Sequence, residues 1–170
     1  MKTRLIALST AAAFGLLSLA AIAATPEDDF IDRFSGSWSG SGTVVRDNVP
    51  YDVSCQATGQ PGENQVAIEG SCNVAIANIR IAADIAYDPE TGRYSGTYVG
   101  AKVGPAQVTG KRSGDVVQLT VSWPAPVNGQ MKAQLVIENA GSGQLRIRLN
   151  EFVAPDGSEV TTHDLVLSQV

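Results

Sequence analysis

His163 is the only histidine of the chain, and it is the side chain best suited to bind a metal ion or a proton near neutral pH. It lies in the segment Glu159–Leu167, where it keeps the alternation of Leu165 and Leu167. Residues two apart in a β-strand point to the same face. We therefore expect the imidazole to face the interior of the fold and Asp164 to face outward.

The two cysteines predict a structural disulfide. Cys55 and Cys72 flank Gln60–Asn64, a cluster of turn-forming residues. A turn centred between Glu63 and Asn64 places the two cysteines opposite each other in one hairpin, within disulfide reach. Closing a loop of this length stabilises a fold by about 3 kcal/mol in the chain-entropy model. A redox-active or metal-binding pair is the alternative, but C-x-x-C spacing and a basic neighbourhood are lacking.

Four carboxylates on predicted strands are candidates for a general acid and base: Glu69, Asp84, Glu138 and Glu151. Carboxylates on strands are usually solvated on the outer face, and Asp84 shares its face with Arg80, which predicts an ordinary surface pair. The sequence contains no G-x-S-x-G elbow, no H-E-x-x-H and no P-loop. We therefore expect no enzymatic activity.

Charge and composition exclude further classes of function. The formal net charge is −5, and a sequence pI near 4.7 argues against nucleic acid as a partner. One histidine and two cysteines leave too few ligands for a dedicated metal site. We expect neither a metal nor a bound cofactor.

The first residues have the pattern of a secretory signal peptide. Basic Met1–Arg4 precedes the uncharged run Leu5–Ala21, and Ala21–Ala23 forms an A-x-A cleavage pattern. A retained membrane anchor is the alternative, but no basic stop-transfer flank follows. We expect a signal peptide over 1–23, a single domain over 24–170, a periplasmic or secreted location, and no membrane association after cleavage.

The rest of the chain has the pattern of short antiparallel strands. Turn signals recur about every dozen residues, and apolar residues alternate with polar ones between them. About ten strands with short connections favour an all-β, antiparallel up-and-down (meander) barrel, with a sandwich as the alternative. Pro26–Phe34 predicts a short N-terminal helix that closes one end of the barrel.

Gly36–Ser37–Trp38 follows this helix and opens the first strand. A G-x-W opening at this place resembles the calycin superfamily of lipocalins, fatty-acid-binding proteins and related bacterial barrels. The chain is also similar to exported bacterial barrel proteins of unknown function that share the opening. The resemblance implies that Gly36 and Trp38 belong to the closed end, with Arg146 or Arg148 packed on Trp38 as a cation–π partner.

The longer stretch Gly36–Gly42 also resembles the haem-binding nitrobindins, in which a histidine near the final strand ligates iron. That resemblance implies haem ligation by His163 as a possible alternative. This chain departs from the pattern, because Asp164 follows the histidine where nitrobindins have leucine. Few aromatic residues remain to enclose a porphyrin.

The expected function is the binding of a small apolar or amphipathic ligand inside the barrel. The candidate lining residues are Tyr87, Tyr94, Tyr98, Trp123 and His163. The alternative is a filled barrel that acts through its surface on an envelope protein, for example as a protease inhibitor. A cavity of roughly 300 Å³ or more favours the ligand-binding hypothesis.

Overall fold

The computed structural model describes residues 25–151 and 158–170, so the predicted signal peptide over 1–23 lies outside the described residues. One short helix, α1 (Pro26–Asp32), precedes the strands. The ten strands are β1 (Gly36–Arg46), β2 (Val49–Gly62), β3 (Gln65–Val74), β4 (Ala77–Asp88), β5 (Arg93–Val99), β6 (Ala106–Ser113), β7 (Val116–Val127), β8 (Gln130–Glu138), β9 (Gln144–Glu151) and β10 (Val160–Gln169). Within these residues no helix is long and apolar enough to cross a membrane.

The ten strands form one closed antiparallel barrel, in which each strand pairs with its neighbours in the sequence. β10 pairs with β1 and closes the ring. Asn128 and Gly129, between β7 and β8, both have positive φ, as a tight two-residue hairpin turn requires. The predicted all-β meander barrel with a short N-terminal helix is confirmed.

Apolar side chains from one face of each strand fill the barrel. β7 illustrates the pattern, since its inward residues are 0–4% exposed: Val117, Leu119, Val121 and Trp123. Gln118 and Thr120, between them, are exposed. Side chains of this size, buried from several strands at once, leave the middle of the barrel packed.

Helix α1 closes the end of the barrel where β1 begins. Its first turn is fixed by a capping box, in which the Thr25 side chain accepts from the Asp28 N–H and the Asp28 carboxylate accepts from the Thr25 N–H. Phe30 and Ile31 are at most 2% exposed. The Trp38 indole N–H donates to the Phe34 carbonyl at 3.1 Å, which joins the first strand to the chain just after the helix.

A polar cluster ties α1 to the barrel wall. The Arg112 guanidinium of β6 donates to both carboxylate oxygens of Glu27, at 2.8 and 2.6 Å, and the Tyr94 hydroxyl of β5 donates to the same carboxylate. These bonds hold the pKa of Glu27 below its ordinary value. Arg112 also lies 4.7 Å from the centre of the Phe30 ring, a cation–π distance.

The arginines on an aromatic ring at the closed end are thus Arg112 and Arg33, both over Phe30, rather than Arg146 or Arg148 over Trp38. Arg146 donates to Asp164 at 2.7 and 2.9 Å, and Arg148 donates to Glu138. Both arginines alternate with the buried leucines of β9 and therefore lie on the outer face. The pairing with Trp38 that the calycin resemblance implied is wrong.

The disulfide prediction is confirmed. Cys55 and Cys72 are opposite each other in the register of β2 and β3 and are bonded. Both cysteines are buried on the inner face, at 2% and 7% exposure.

We expect peptide mapping without reductant to recover Cys55 and Cys72 in one linked pair. The Cys55→Ala/Cys72→Ala double variant should lose about 3 kcal/mol of unfolding free energy, because its unfolded chain is no longer restrained by the loop. Two free thiols in protein from an oxidising compartment would contradict the prediction.

Candidate ligand-binding site

A cavity of about 590 Å³ opens at the end of the barrel opposite α1. It is formed by the far ends of several strands and by the turns that join them. Among its apolar lining residues are Val44, Val74, Ile79, Ala101, Val103 and Val127. Its lining residues with polar or charged groups are Arg46, Asp47, Tyr51, Lys102, Asn128 and His163. An apolar wall with a few polar groups is the usual composition of a small-molecule site.

Exposed apolar side chains surround this opening. We call the group the mouth rim, and it consists of Val49, Ile76, Met131 and Val160, which are 44% to fully exposed. Ile76 lies in the turn between β3 and β4, next to Ala75, which has a positive φ of 51°. These residues give the entrance of the cavity an apolar border.

His163 lies on the inner face at the open end. It is opposite Val44 on one side and Leu149 on the other, and it lines the cavity. Burial lowers its pKa to about 4, so the imidazole is neutral at pH 7. Sequence parity predicted this orientation.

The Thr162 side chain lies between the His163 ring and the backbone of β9. The Thr162 hydroxyl lies 3.1 Å from His163 Nδ1 and 3.3 Å from the Leu149 carbonyl, to which it donates. Because the imidazole is neutral, one ring nitrogen carries the proton and the other has a free lone pair.

Glu151 is a buried carboxyl directly behind the cavity wall. It is 0% exposed, and its Oε2 accepts from the Asn128 amide at 2.8 Å. Its Oε1 has no hydrogen-bond partner among the residues that the structure describes. Burial raises the pKa of Glu151, and the hydrogen bond from Asn128 offsets this only in part.

The expectation that Glu151 is solvated on the outer face is therefore wrong. The signal that locates it was available, because Glu151 continues the inward alternation of Leu145, Ile147 and Leu149. Burying a carboxylate on an apolar face costs free energy unless the carboxylate is hydrogen-bonded, as Glu151 is to Asn128.

Tyr98 and Trp123 form an aromatic pair next to the cavity, with ring centroids 6.0 Å apart. Burial raises the pKa of Tyr98 to about 12. Its hydroxyl lies against Gly100, a lining residue, so closely that a Cβ on Gly100 would be 1.9 Å from it. The buried Trp123 indole N–H has no hydrogen-bond partner in the described ranges.

The candidate lining residues from the sequence are thus divided between the two ends. Tyr87 and Tyr94 face inward, but they pack together at the closed end, 5.2 Å apart, and Tyr94 binds Glu27. Tyr98 and Trp123 lie beneath the opening, and His163 lines it. Parity located the inner face but did not distinguish the two ends of the barrel.

The other candidate carboxylates lie outside. Glu69 accepts from Arg80 at 3.2 Å, Glu138 accepts from Arg148, and Asp84 is exposed. In residues 25–151 and 158–170, no group of three or more His, Cys, Asp or Glu side chains is arranged to hold a metal ion.

No protein-family model matches the chain, and no curated protein matches it. Among solved structures, the chain is similar to the crystal structure of Rv2717c from M. tuberculosis, with a TM-score of 0.58. The two are 15% identical, and the match covers 86% of this chain and 98% of the other. At this identity, the similarity shows a shared barrel fold alone.

Proposed function

We propose that this chain is an exported, non-catalytic β-barrel protein that binds a small apolar or amphipathic molecule at its open end. The observation that carries the proposal is the cavity of about 590 Å³, most of whose lining residues are apolar. Its volume falls within the range of roughly 300–1,000 Å³ typical of small-molecule sites. The packed middle of the barrel limits the ligand to the open half.

Two further observations support this proposal. The Gly36–Ser37–Trp38 opening and the helix-closed end support a calycin-like barrel, a class that binds ligands at the opposite end. The disulfide between Cys55 and Cys72 is compatible with an oxidising compartment, as the predicted signal peptide requires. We therefore propose a location in the periplasm or the extracellular space.

A second candidate is action on an envelope protein through the surface, and the mouth rim favours it. Ile76 is fully exposed, and exposed apolar side chains around one opening are characteristic of docking sites. The same rim would guide an apolar ligand into the cavity. Blocking the cavity while leaving the outer surface intact distinguishes the two functions.

Val44→Trp should reduce the binding of the neutral probe N-phenyl-1-naphthylamine at least tenfold, because the larger side chain fills the cavity from its wall. Thr43→Trp is the matched control, since Thr43 is the exposed neighbour on the outer face of the same strand. Probe fluorescence titration of both variants and the parent measures the effect.

Equal binding by the parent and Val44→Trp, or no binding by the parent, would contradict ligand binding in this cavity. An absorption scan of protein from its native compartment tests the haem alternative. We expect no Soret band, because the walls next to His163 are mainly aliphatic. A Soret band that is lost in His163→Ala would instead support the haem-binding barrel.

A further inference from the structure

The first residues of β4 form a free edge in the barrel wall at the open end. β4 pairs with β3 along residues 77–86, whereas its pairing with β5 begins only at Ala82. Among the described residues, no backbone hydrogen bond joins residues 77–81 to the loop over residues 100–105, which follows β5 in the chain. This edge of β4 therefore has no neighbouring strand.

The register shows which backbone groups of β4 are free. Tyr87 donates its N–H to the Asn64 carbonyl at 2.7 Å, at the far end of the pair that β4 forms with β3. In an antiparallel ladder alternate residues bond to the same neighbour, and no register shift interrupts this pair. The odd-numbered residues of β4, which include Ile79, therefore bond to β3. Asn78 and Arg80 direct their N–H and C=O groups to the free edge.

The side chains of Asn78 and Arg80 leave this edge open. The Asn78 amide donates to Asn73 at 2.8 Å, and the Arg80 guanidinium donates to Glu69 at 3.2 Å. Asn73 and Glu69 belong to β3, so both side chains extend away from the edge, over the outer face. Asn78 and Arg80 are also exposed, so a partner can reach their backbone.

Proline protects two comparable overhangs of this barrel. β2 extends past β3 over residues 49–52, and β7 extends past β6 over residues 123–127. Pro50 lies in the first overhang, and Pro124 and Pro126 lie in the second. Proline has no N–H to donate, and natural proteins use it to protect sheet edges. The free edge of β4 contains no proline and keeps its donors.

We propose that this edge binds an extended segment of another polypeptide, which adds to β4 as an antiparallel strand. An extended backbone supplies N–H and C=O groups at the spacing that Asn78 and Arg80 present, and strand addition is a common mode of peptide recognition. The partner residue opposite Ile79 shares its face. Ile79 lines the cavity of about 590 Å³, so this partner residue is apolar and its side chain enters the cavity. The site goes beyond the proposed binding of a small molecule and does not depend on it.

Hydrogen exchange followed by NMR tests the free edge in the protein alone. The amides of Asn78 and Arg80 should exchange at least about tenfold faster than that of Ile79, which bonds to β3. Equal protection of the three amides at every protein concentration would overturn the inference, because the edge would then be paired within the chain. Protection that rises with protein concentration would replace the partner with a second copy of this chain.

The probe is the pentapeptide acetyl-STITS-amide, whose β-branched residues favour an extended backbone and whose isoleucine is placed opposite Ile79. Saturating peptide should slow the exchange of the Asn78 and Arg80 amides to the level of Ile79. N-methylation of both threonines should weaken binding at least about fivefold, because their N–H groups bond to β4 in the antiparallel register. N-methylation of the isoleucine is the matched control, since its N–H points away from β4, and it should leave binding within about threefold.

Arg80→Pro removes one donor from the edge and leaves the ladder with β3 intact, because the Arg80 N–H faces away from β3. A net hydrogen bond of about 0.5–1.5 kcal/mol corresponds to roughly 2- to 13-fold weaker binding of the peptide. Arg80→Ala is the matched control, since it loses the same side chain and its bond to Glu69 but keeps the N–H. It should bind the peptide as the parent does. Circular dichroism establishes that both variants fold.

Absence of peptide binding, or equal binding of the two N-methylated peptides, would overturn this inference and leave the proposed function standing. Titration with N-phenyl-1-naphthylamine tests that function separately. Equal binding by folded Arg80→Pro and Arg80→Ala would also contradict pairing at this edge. Should Arg80→Pro fail to fold, the two N-methylated peptides decide the question on the parent protein.

Discussion

Trp38→Ala is expected to lower the free energy of unfolding by about 3–5 kcal/mol, the usual cost of truncating a buried aromatic side chain. Trp38 is 3% exposed at the closed end of the barrel. The variant also leaves the Phe34 carbonyl without the indole N–H that it accepts at 3.1 Å. Urea unfolding followed by circular dichroism measures the loss.

Two comparisons make this result specific to the closed end. Trp38→Phe keeps most of the packing and loses the indole donor, so it should cost clearly less than the alanine variant. Tyr51→Ala, at the open end, removes a ring that is 38% exposed and should cost about 1 kcal/mol or less. A Trp38→Ala protein that melts within a degree or two of the parent would remove the anchoring role assigned to this residue.

Stability should fall as the pH is lowered from about 6.5 towards 4, and His163 should account for up to about 3 kcal/mol of that loss. Burial lowers the pKa of His163 from an ordinary value of 6.5 to about 4. Between these values the unfolded chain binds a proton that the folded chain does not. The contribution is therefore complete above the unfolded pKa and is lost as the pH falls through this window.

The matched variant is His163→Leu, whose stability should depend less steeply on pH between 6.5 and 4. Arg46, Asp47 and Lys102 line the same cavity, and Asp164 lies on the outer face, bonded to Arg146. Glu151 has a raised pKa and opposes the trend. All these groups are present in both proteins, so the difference between their unfolding curves isolates His163. Identical pH profiles would contradict the assignment.

Alternation and turn residues were sufficient to predict the barrel, because both are local properties of the chain. The Gln60–Asn64 turn fixed the register that joins Cys55 to Cys72, and parity placed His163 on the inner face. The few residues of a hairpin turn determine how its two strands pair. A meander barrel consists of such hairpins, so most of its strand pairing is determined locally. The fold can therefore be predicted from the sequence almost completely.

The site can be predicted less completely than the fold, because its contacts join residues that are distant in the sequence. Arg112 meets Glu27 across 85 positions, and no local pattern distinguishes it from a solvated arginine. Arg146 was assigned to Trp38 by resemblance, although its parity already placed it outside, with Asp164. The position of the cavity depends on which end of the barrel the helix closes, and strand patterns do not encode that.

The pairing of β1 with β10 also determines how another polypeptide can attach to this molecule. A sheet with a free edge offers unpaired backbone groups, and many partners bind by adding a strand there. Each of the ten described strands is hydrogen-bonded to two neighbours, although the first residues of β4, 77–81, have no partner in β5. Over the paired length, a partner must recognise side chains of the turns, the mouth rim or the outer face. Along that length the folded protein likewise offers its own copies no template for growth into strand-by-strand fibres.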